Sequence, residues 1–342
     1  MKHHYIISTV ILGILITSAT MMGQNADSTL YSILSSRKLR LNGYSEIEYQ
    51  QFQDPSKIDE FNIHRARLQL RGDLSNHMEY FIQTDFVPSN PLLLDATASY
   101  ILDTALKFTA GQMKLNISQE NLLDDSKLFT INRSQVVEAM VARSKDVIGN
   151  QNGRDIGIMA SGSLISLPWY KFLDYSFALF NGQGINQADA NSEKDFDGRL
   201  LIHPVKNLDM GGAVYTGYDK FGSVPANHIR DRYGFDLGYS YNRFDIRAEF
   251  IRGQDSTIHR QGYYIQAAYF ILAKKLQVVG KYDNFDPNTN PKVTNDQTMV
   301  FTGALNYFFS SNLWIKLDYE KHDVQNNTSK NDLYLVELLI AF

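Results

Sequence analysis

The chain has no cysteine among its 342 residues. Disulfide frameworks, zinc–thiolate sites and cysteine nucleophiles are therefore excluded. Prolines are few, at eight, and the 22 glycines are ordinary, so the chain is neither collagen-like nor a proline-rich spacer. An excess of positive charge is also lacking. Lys and Arg total 33 against 37 Asp and Glu, and the net −4 is the wrong sign for a dedicated nucleic-acid binder. Beyond residue 23 no apolar run approaches the ~18 residues of a membrane helix, and mean hydropathy is −0.28. Even so, 44% of the chain is hydrophobic, which excludes disorder. Aromatic residues make up 12%, with 20 Tyr, 20 Phe and 2 Trp. Many aromatics with a low mean hydropathy call for a large apolar surface spread thinly.

Residues 1–23 read as a secretory signal peptide. Lys2 opens it, Tyr5 to Ile16 is almost unbroken apolar sequence, and small residues follow, so cleavage falls between Ala19 and Gly23. The apolar run is short for a membrane anchor, and no basic stop-transfer cluster follows it. No cysteine follows either, which excludes a bacterial lipid anchor. Residues 24–39 read as a periplasmic lead-in, with a short helix over Tyr31–Arg37. Loss of Lys2 with the leader makes the mature chain one unit more negative.

From residue 40 to 342 the hydrophobic period is two. Tyr334, Val336, Leu338, Ile340 and Phe342 share one face at the end of the chain. Leu313, Ile315, Leu317 and Tyr319 oppose Lys316, Asp318 and Glu320, and Ala66, Leu68, Leu70 and Gly72 oppose Arg65, Arg67, Gln69 and Arg71. Alternation at 180° per residue marks strands. Sixteen are expected, near 40–52, 61–74, 77–87, 93–102, 105–114, 154–164, 172–182, 196–203, 208–217, 232–241, 243–252, 262–271, 274–284, 297–308, 312–322 and 332–342. Their length suits a tilted strand crossing a membrane. All eight prolines fall between these segments, as the missing N–H demands. Short connections alternate with longer ones, among them 53–60, 114–153, 182–195, 217–231, 253–261, 285–296 and 323–331.

A soluble sandwich of that many strands would split into two domains, and no linker is present. A solenoid requires a short repeat, and none is visible. The expected fold is all-β, a transmembrane antiparallel barrel of about 16 strands. Closure pairs every backbone group inside lipid, and an even count leaves both ends in the periplasm. The terminal Phe342, after an alternating strand, resembles the signal by which outer-membrane barrels are recognised by their assembly machinery.

Several stretches carry a family resemblance. They are Ile63–Gly72, Glu79–Phe86, Leu94–Ala96, Thr109–Lys114, Gly153–Gly157, Leu179–Gly184 and Asp197–Leu200, in that order. This series resembles the phosphate-selective porin O and P family. The resemblance implies an outer-membrane porin, trimeric in characterised members, for passive diffusion of small hydrophilic solutes, with anions such as phosphate among them. One departure concerns the loop after the Gly111-Gln112 strand, where Asn116-Ile117 replaces the Pro-Phe pair frequent in the family.

The expected partners are outer-membrane lipid, the barrel assembly machinery, the solutes and two further copies of the chain. No cofactor, metal or nucleic acid is implied. Arg40, Arg65, Arg67, Arg71 and Arg199 are candidate pore-lining anion contacts. The 114–153 connection is too long to be structureless and is expected to fold into the bore as a constriction loop. It contributes Lys114, Lys127, Arg133, Arg143 and Lys145. Arginine suits an oxyanion because its planar fork donates two hydrogen bonds. The alternative is a structural role for these arginines, paired with Glu46, Glu48, Glu79, Asp85 and Asp95 across the strands. Two other functions use the same barrel, a lipid hydrolase and a surface-binding barrel with a plugged lumen. The histidines sit in no Gly-x-Ser-x-Gly elbow and no His-Glu-x-x-His motif, so no catalytic residue is assigned. Asp286, Asn288 and Asn290 imitate a calcium loop, but Pro291 stands where glycine belongs.

Overall fold

The computed structural model describes residues 39–167, 170–222, 226–293, 296–325 and 331–342. The leader and the lead-in lie outside the described residues, except Leu39, which opens the first strand. The strands are β1 (Leu39–Phe52), β2 (Glu60–Ser75), β3 (Met78–Asp85), β4 (Leu92–Ile101), β5 (Lys107–Lys114), β6 (Arg154–Leu167), β7 (Tyr170–Phe180) and β8 (Asp195–Val205). They continue as β9 (Leu208–Phe221), β10 (Ala226–Tyr241), β11 (Phe244–Asp255), β12 (Ile258–Leu272), β13 (Leu276–Asp286), β14 (Thr298–Phe308), β15 (Leu313–Val324) and β16 (Leu333–Ala341). Each pairs antiparallel with its chain neighbours, and β16 pairs with β1, closing the barrel. Among the described residues no helix is long and apolar enough to cross a membrane; the crossing is made by strands.

Burial is inverted relative to a soluble protein. Arg154, Arg230 and Arg232 are almost fully buried, while Phe61 is 80% and Phe235 66% exposed. On β10 the inward Arg230, Arg232 and Asp236 alternate with the outward Tyr233 and Phe235. The period-two pattern thus sorts charge into the bore and apolar side chains onto the outer wall. Aromatic rings adjoin across neighbouring strands, Tyr263–Tyr282–Phe301 with centroids 5.9 and 4.8 Å apart and Tyr319–Tyr334 at 4.9 Å. Such girdles suit the membrane interface.

At one end the connections are tight. Asn207 and Asn242 take positive φ there, a conformation asparagine tolerates. At the other end most are longer, but two expected long links shrink. Residues 253–261 reduce to a turn between Asp255 and Ile258, and 217–231 reduces to 222–225. The ladders simply continue past the lipid, because hydrogen bonding rather than hydropathy sets where a strand stops. Pro204, expected between strands, lies inside β8. The pairing to β9 slips by one residue between Ile202 and Val205, so the proline occupies a bulge that needs no N–H. The link at 165–171 reduces to the two residues between Leu167 and Tyr170.

The interior apolar core is unusual in position. It forms where the loop 115–153 lies against the inner wall, joining Leu115, Ile117, Val136, Val137 and Met140 to Phe180, Tyr215, Ile251 and Tyr264.

Candidate functional site

The loop after β5 carries two short helices, α1 (Gln119–Leu122) and α2 (Gln135–Met140), with a 3-10 turn at Asp125–Lys127 between them. Ser118 caps α1 through its Oγ, which accepts from Asn121 N at 3.1 Å. Val136, Val137, Ala139 and Met140 are all buried, so α2 is held by tertiary packing on β11–β13 rather than by its own length. Asn121 ties the two ends of the loop together, donating from Nδ2 to Leu115 O at 3.0 Å and Gly153 O at 2.9 Å. Gly153 has φ +68, and a Cβ there would lie 1.8 Å from Asn121 Oδ1, so only glycine permits the clasp.

From this clasp the loop crosses the bore. Asn116 N donates to Asp197 on β8 at 2.6 Å, and Gln119 Nε2 to Leu237 O and Ala248 O. On the far wall Asn306 Nδ2 donates to Phe129 O at 2.9 Å, Lys281 Nζ to Thr130 at 3.0 Å, and Ile131 N to Asp318 at 2.8 Å. The return path is held by Gln135 N on Asp283 and by Arg232 Nε on Met140 O. The expected constriction is therefore present, pinned to strands from β8 round to β15.

Asp125 anchors it to β2 as well. Its carboxylate binds Arg67 and Arg133, and Arg65 Nε lies 3.1 Å away. Arg67 also donates from Nε to Asp85 at 3.0 Å and from Nη1 to Tyr44 Oη at 3.0 Å. Burial pushes the Asp125 carboxyl up, but Arg133, Arg65 and Arg67 hold it well below the usual carboxylate range. Arg133 is buried, and its Nε and Nη1 have no hydrogen-bond partner among the described residues.

Two open spaces flank this throat. The outer one, about 590 Å³, is lined by Arg67, Asp85, Arg133, Arg143, Lys145 and Glu320 among others. The inner one, about 310 Å³, is lined by Arg71, Gln83, Asp95, Lys114, Asp124 and Lys127 among others. Gln83 and Asp85 are successive inward residues of β3, so the two spaces meet one wall on either side of the throat.

The predicted residues thus divide. Arg65, Arg67 and Arg133 converge on Asp125. Arg199 is held bidentate by Asp236 at 2.6 and 2.8 Å, which fits the paired alternative and not an open contact. Arg143 is buried, donating from Nε to Asn121 Oδ1 at 2.9 Å. Lys114 closes β5 rather than opening the loop, and donates to Leu123 O at 2.6 Å. Arg40 and Arg71 are register partners at the inner end, both exposed, with Arg71 stacked over Phe81 at 4.1 Å. Lys127 and Lys145 are exposed. Among the described residues Arg40, Arg71, Lys127 and Lys145 make no ion pair. Glu46 pairs with Arg65, Asp95 with Arg154, and Glu79 with Lys107.

Sequence reasoning missed Arg154, Arg230, Arg232, Lys281 and Lys316, all buried in the bore. Arg230 and Arg232 are two residues apart, the signal of a shared strand face, but the alternation marks this strand only from 232.

A barrel of this size, apolar outside, charged inside and narrowed by a loop folded into the bore, defines an outer-membrane channel of the porin class. The phosphate-selective porin O and P profile matches residues 39–220 and 222–337. The chain belongs to that family. No curated protein sequence matches it. Solved structures with the same fold include Salmonella typhi OmpF in complex with daunomycin, at TM-score 0.67, 11% identity, and coverage of 90% of this chain and 98% of that one. Pseudomonas putida OprB at high pH gives TM-score 0.66 and 11% identity, covering 93% and 97%. A trimer form of Vibrio cholerae OmpT gives 0.61 and 11%, covering 89% and 99%.

Proposed function

We propose that this porin is a passive diffusion channel for small hydrophilic solutes with a modest preference for anions, inorganic phosphate among them, and that it performs no bond chemistry. Total charge does not support a strong anion funnel. Among the buried charged groups of the described residues, carboxylates outnumber cations two to one. The preference rests on which charges remain unpaired. Lys145 beside the outer space and Lys127 and Arg71 beside the inner one supply successive positive contacts on either side of the throat. That succession of unpaired cations is the observation that carries the reading.

In this reading residues 1–23 are the export signal, Phe342 is the assembly signal, and the mature chain works as a homotrimer in the outer membrane. Planar-bilayer recording tests it. Stepwise conductance and a reversal potential on the anion side in a KCl gradient are expected, with phosphate reducing the chloride current. The double variant Arg71→Glu, Lys127→Glu should move the reversal potential toward cations. A cation-selective wild type, or a double variant that leaves the potential unmoved, would discard the anion path.

A further inference from the structure

Where the barrel closes, like charges face each other. Glu48 on β1 is the direct register partner of Glu337 on β16, and Glu46 lies two residues away on the same inward face. All three carboxylates are at most 1% exposed. Like charges directly opposite on neighbouring strands destabilise the pair. Some compensation is visible. Arg65 Nη1 donates to Glu46 Oε2 at 2.5 Å, Lys316 Nζ lies 3.3 Å from Glu337 Oε1, and Gln50 and Asn62 donate to Glu48 Oε1. It is incomplete. Among the described residues, Glu46 Oε1, Glu48 Oε2 and both oxygens of Glu337 have no hydrogen-bond partner. Arg65 is moreover shared with Asp125, so three carboxylates are left with less than two full positive charges.

An imidazole points into this gap. His64 Nδ1 lies 3.1 Å from Glu48 Oε2, 3.5 Å from Glu337 Oε2 and 4.0 Å from Glu46 Oε2. Single ligand atoms of Glu46, His64 and Glu337 all fall within 4.8 Å of one another. Four ligands around a tetrahedral zinc, each ~2.0–2.2 Å from the metal, stand roughly 3.3–3.6 Å from each other. The Nδ1 distance to Glu337, 3.5 Å, falls within that spacing, and Glu46 Oε2 at 4.0 Å lies a few tenths of an ångström beyond it. His64 also borders the outer space of the lumen, which gives an ion a route in.

We propose that Glu46, His64 and Glu337, with Glu48 beside them, bind a divalent first-row transition cation at the seam between β1, β2 and β16. One imidazole nitrogen with carboxylate oxygens suits such an ion better than Ca2+ or Mg2+, which take oxygen alone. Arg65 Nη1, now 3.2 Å from His64 Nδ1, gives way to the ion and keeps Asp125 through Nε at 3.1 Å. The bound ion supplies the missing positive charge, links three strands, and adds two charges beside the outer space.

The test is Zn2+ binding to chelator-treated, detergent-purified protein, by equilibrium dialysis with metal analysis. One Zn2+ per chain is expected. His64→Gln and, separately, Glu337→Gln should each weaken it by more than ~10-fold. Heat-dependent gel migration identifies variants that still form a closed barrel, and only those are compared. Zn2+ should also raise the unfolding temperature of the wild type and not of His64→Gln. No Zn2+ uptake by the wild type, or equal uptake by both variants, overturns the proposal. Binding is read without any current, so it fails or succeeds independently of the channel reading.

Discussion

One carboxylate holds three arginines at the throat, and the chemistry of that contact sets how the channel answers to mutation and to acid. Removing one partner of a buried charge cluster costs about 3–5 kcal/mol because the others are left unpaired. Asp125→Asn should therefore loosen the loop, seen as faster protease cleavage within 115–153, while Arg65, Arg67 and Arg133 turn their charge to the bore. The reversal potential should shift further toward anions; no shift would mean the arginines do not face the path. The dependence on acid has a definite sign. The folded-state pKa of Asp125 is depressed, so its contribution is present above the ordinary carboxylate range and is lost only as pH falls through the depressed value. Lowering the pH from 7 to the ordinary aspartate pKa, ~3.9, should leave the loop anchored by Asp125. A rise in loop cleavage across that interval that Asp125→Asn does not share would contradict it. At this scale the sequence was only half legible. Inward arginines could be read from parity, but Asp125 could not be matched to Arg67, because the pairing spans a loop whose path no periodicity encodes.

At the scale of elements, the strands were legible and the loop was not. Alternation survives in sequence wherever one face meets lipid and the other water, so each of the sixteen strands left a trace. Where β9, β10, β11 and β12 run on beyond the sequence-expected ends, polar residues interrupt the alternation, and the trace faded although the ladder did not. The loop 115–153 showed only its length. Its placement depends on groups such as Asn116, whose N–H reaches Asp197. A proline at 116, as frequent in the family, has no such N–H to give, which is the physical content of that departure. The loop is also an addition to a barrel already closed without it. The β5–β6 ladder runs uninterrupted from Lys107↔Ser161 to Lys114↔Arg154. Replacing 116–152 by a short turn should therefore leave barrel formation intact by heat-dependent gel migration and enlarge the single-channel conductance. An unchanged conductance would place the narrowest point elsewhere than at this loop.

The whole molecule depends on one seam, because a barrel differs from a sheet only by the pairing of its first and last strands. Nine register pairs join β1 and β16, from Tyr44↔Ala341 to Phe52↔Leu333. Beyond them Phe342 N donates to Gly43 O at 2.9 Å, and Gly43 N donates to Phe342 O at 3.1 Å. A Cβ on residue 43 would meet the Phe342 ring at 2.5 Å, so the glycine makes room for the terminal aromatic. The two backbone bonds contribute about 1 kcal/mol each, small beside a seam of this length. Closure and recognition of the last residue are therefore separable. Phe342→Ala keeps both backbone bonds and loses only the ring. If the ring is what the assembly machinery reads, this variant should refold in detergent like the wild type, yet reach the outer membrane in much smaller amount in cells. Deletion of Phe342 should match it in cells and lower the unfolding temperature slightly further in detergent. Equal outer-membrane levels for Phe342→Ala and the wild type would restrict the terminal residue to its two hydrogen bonds.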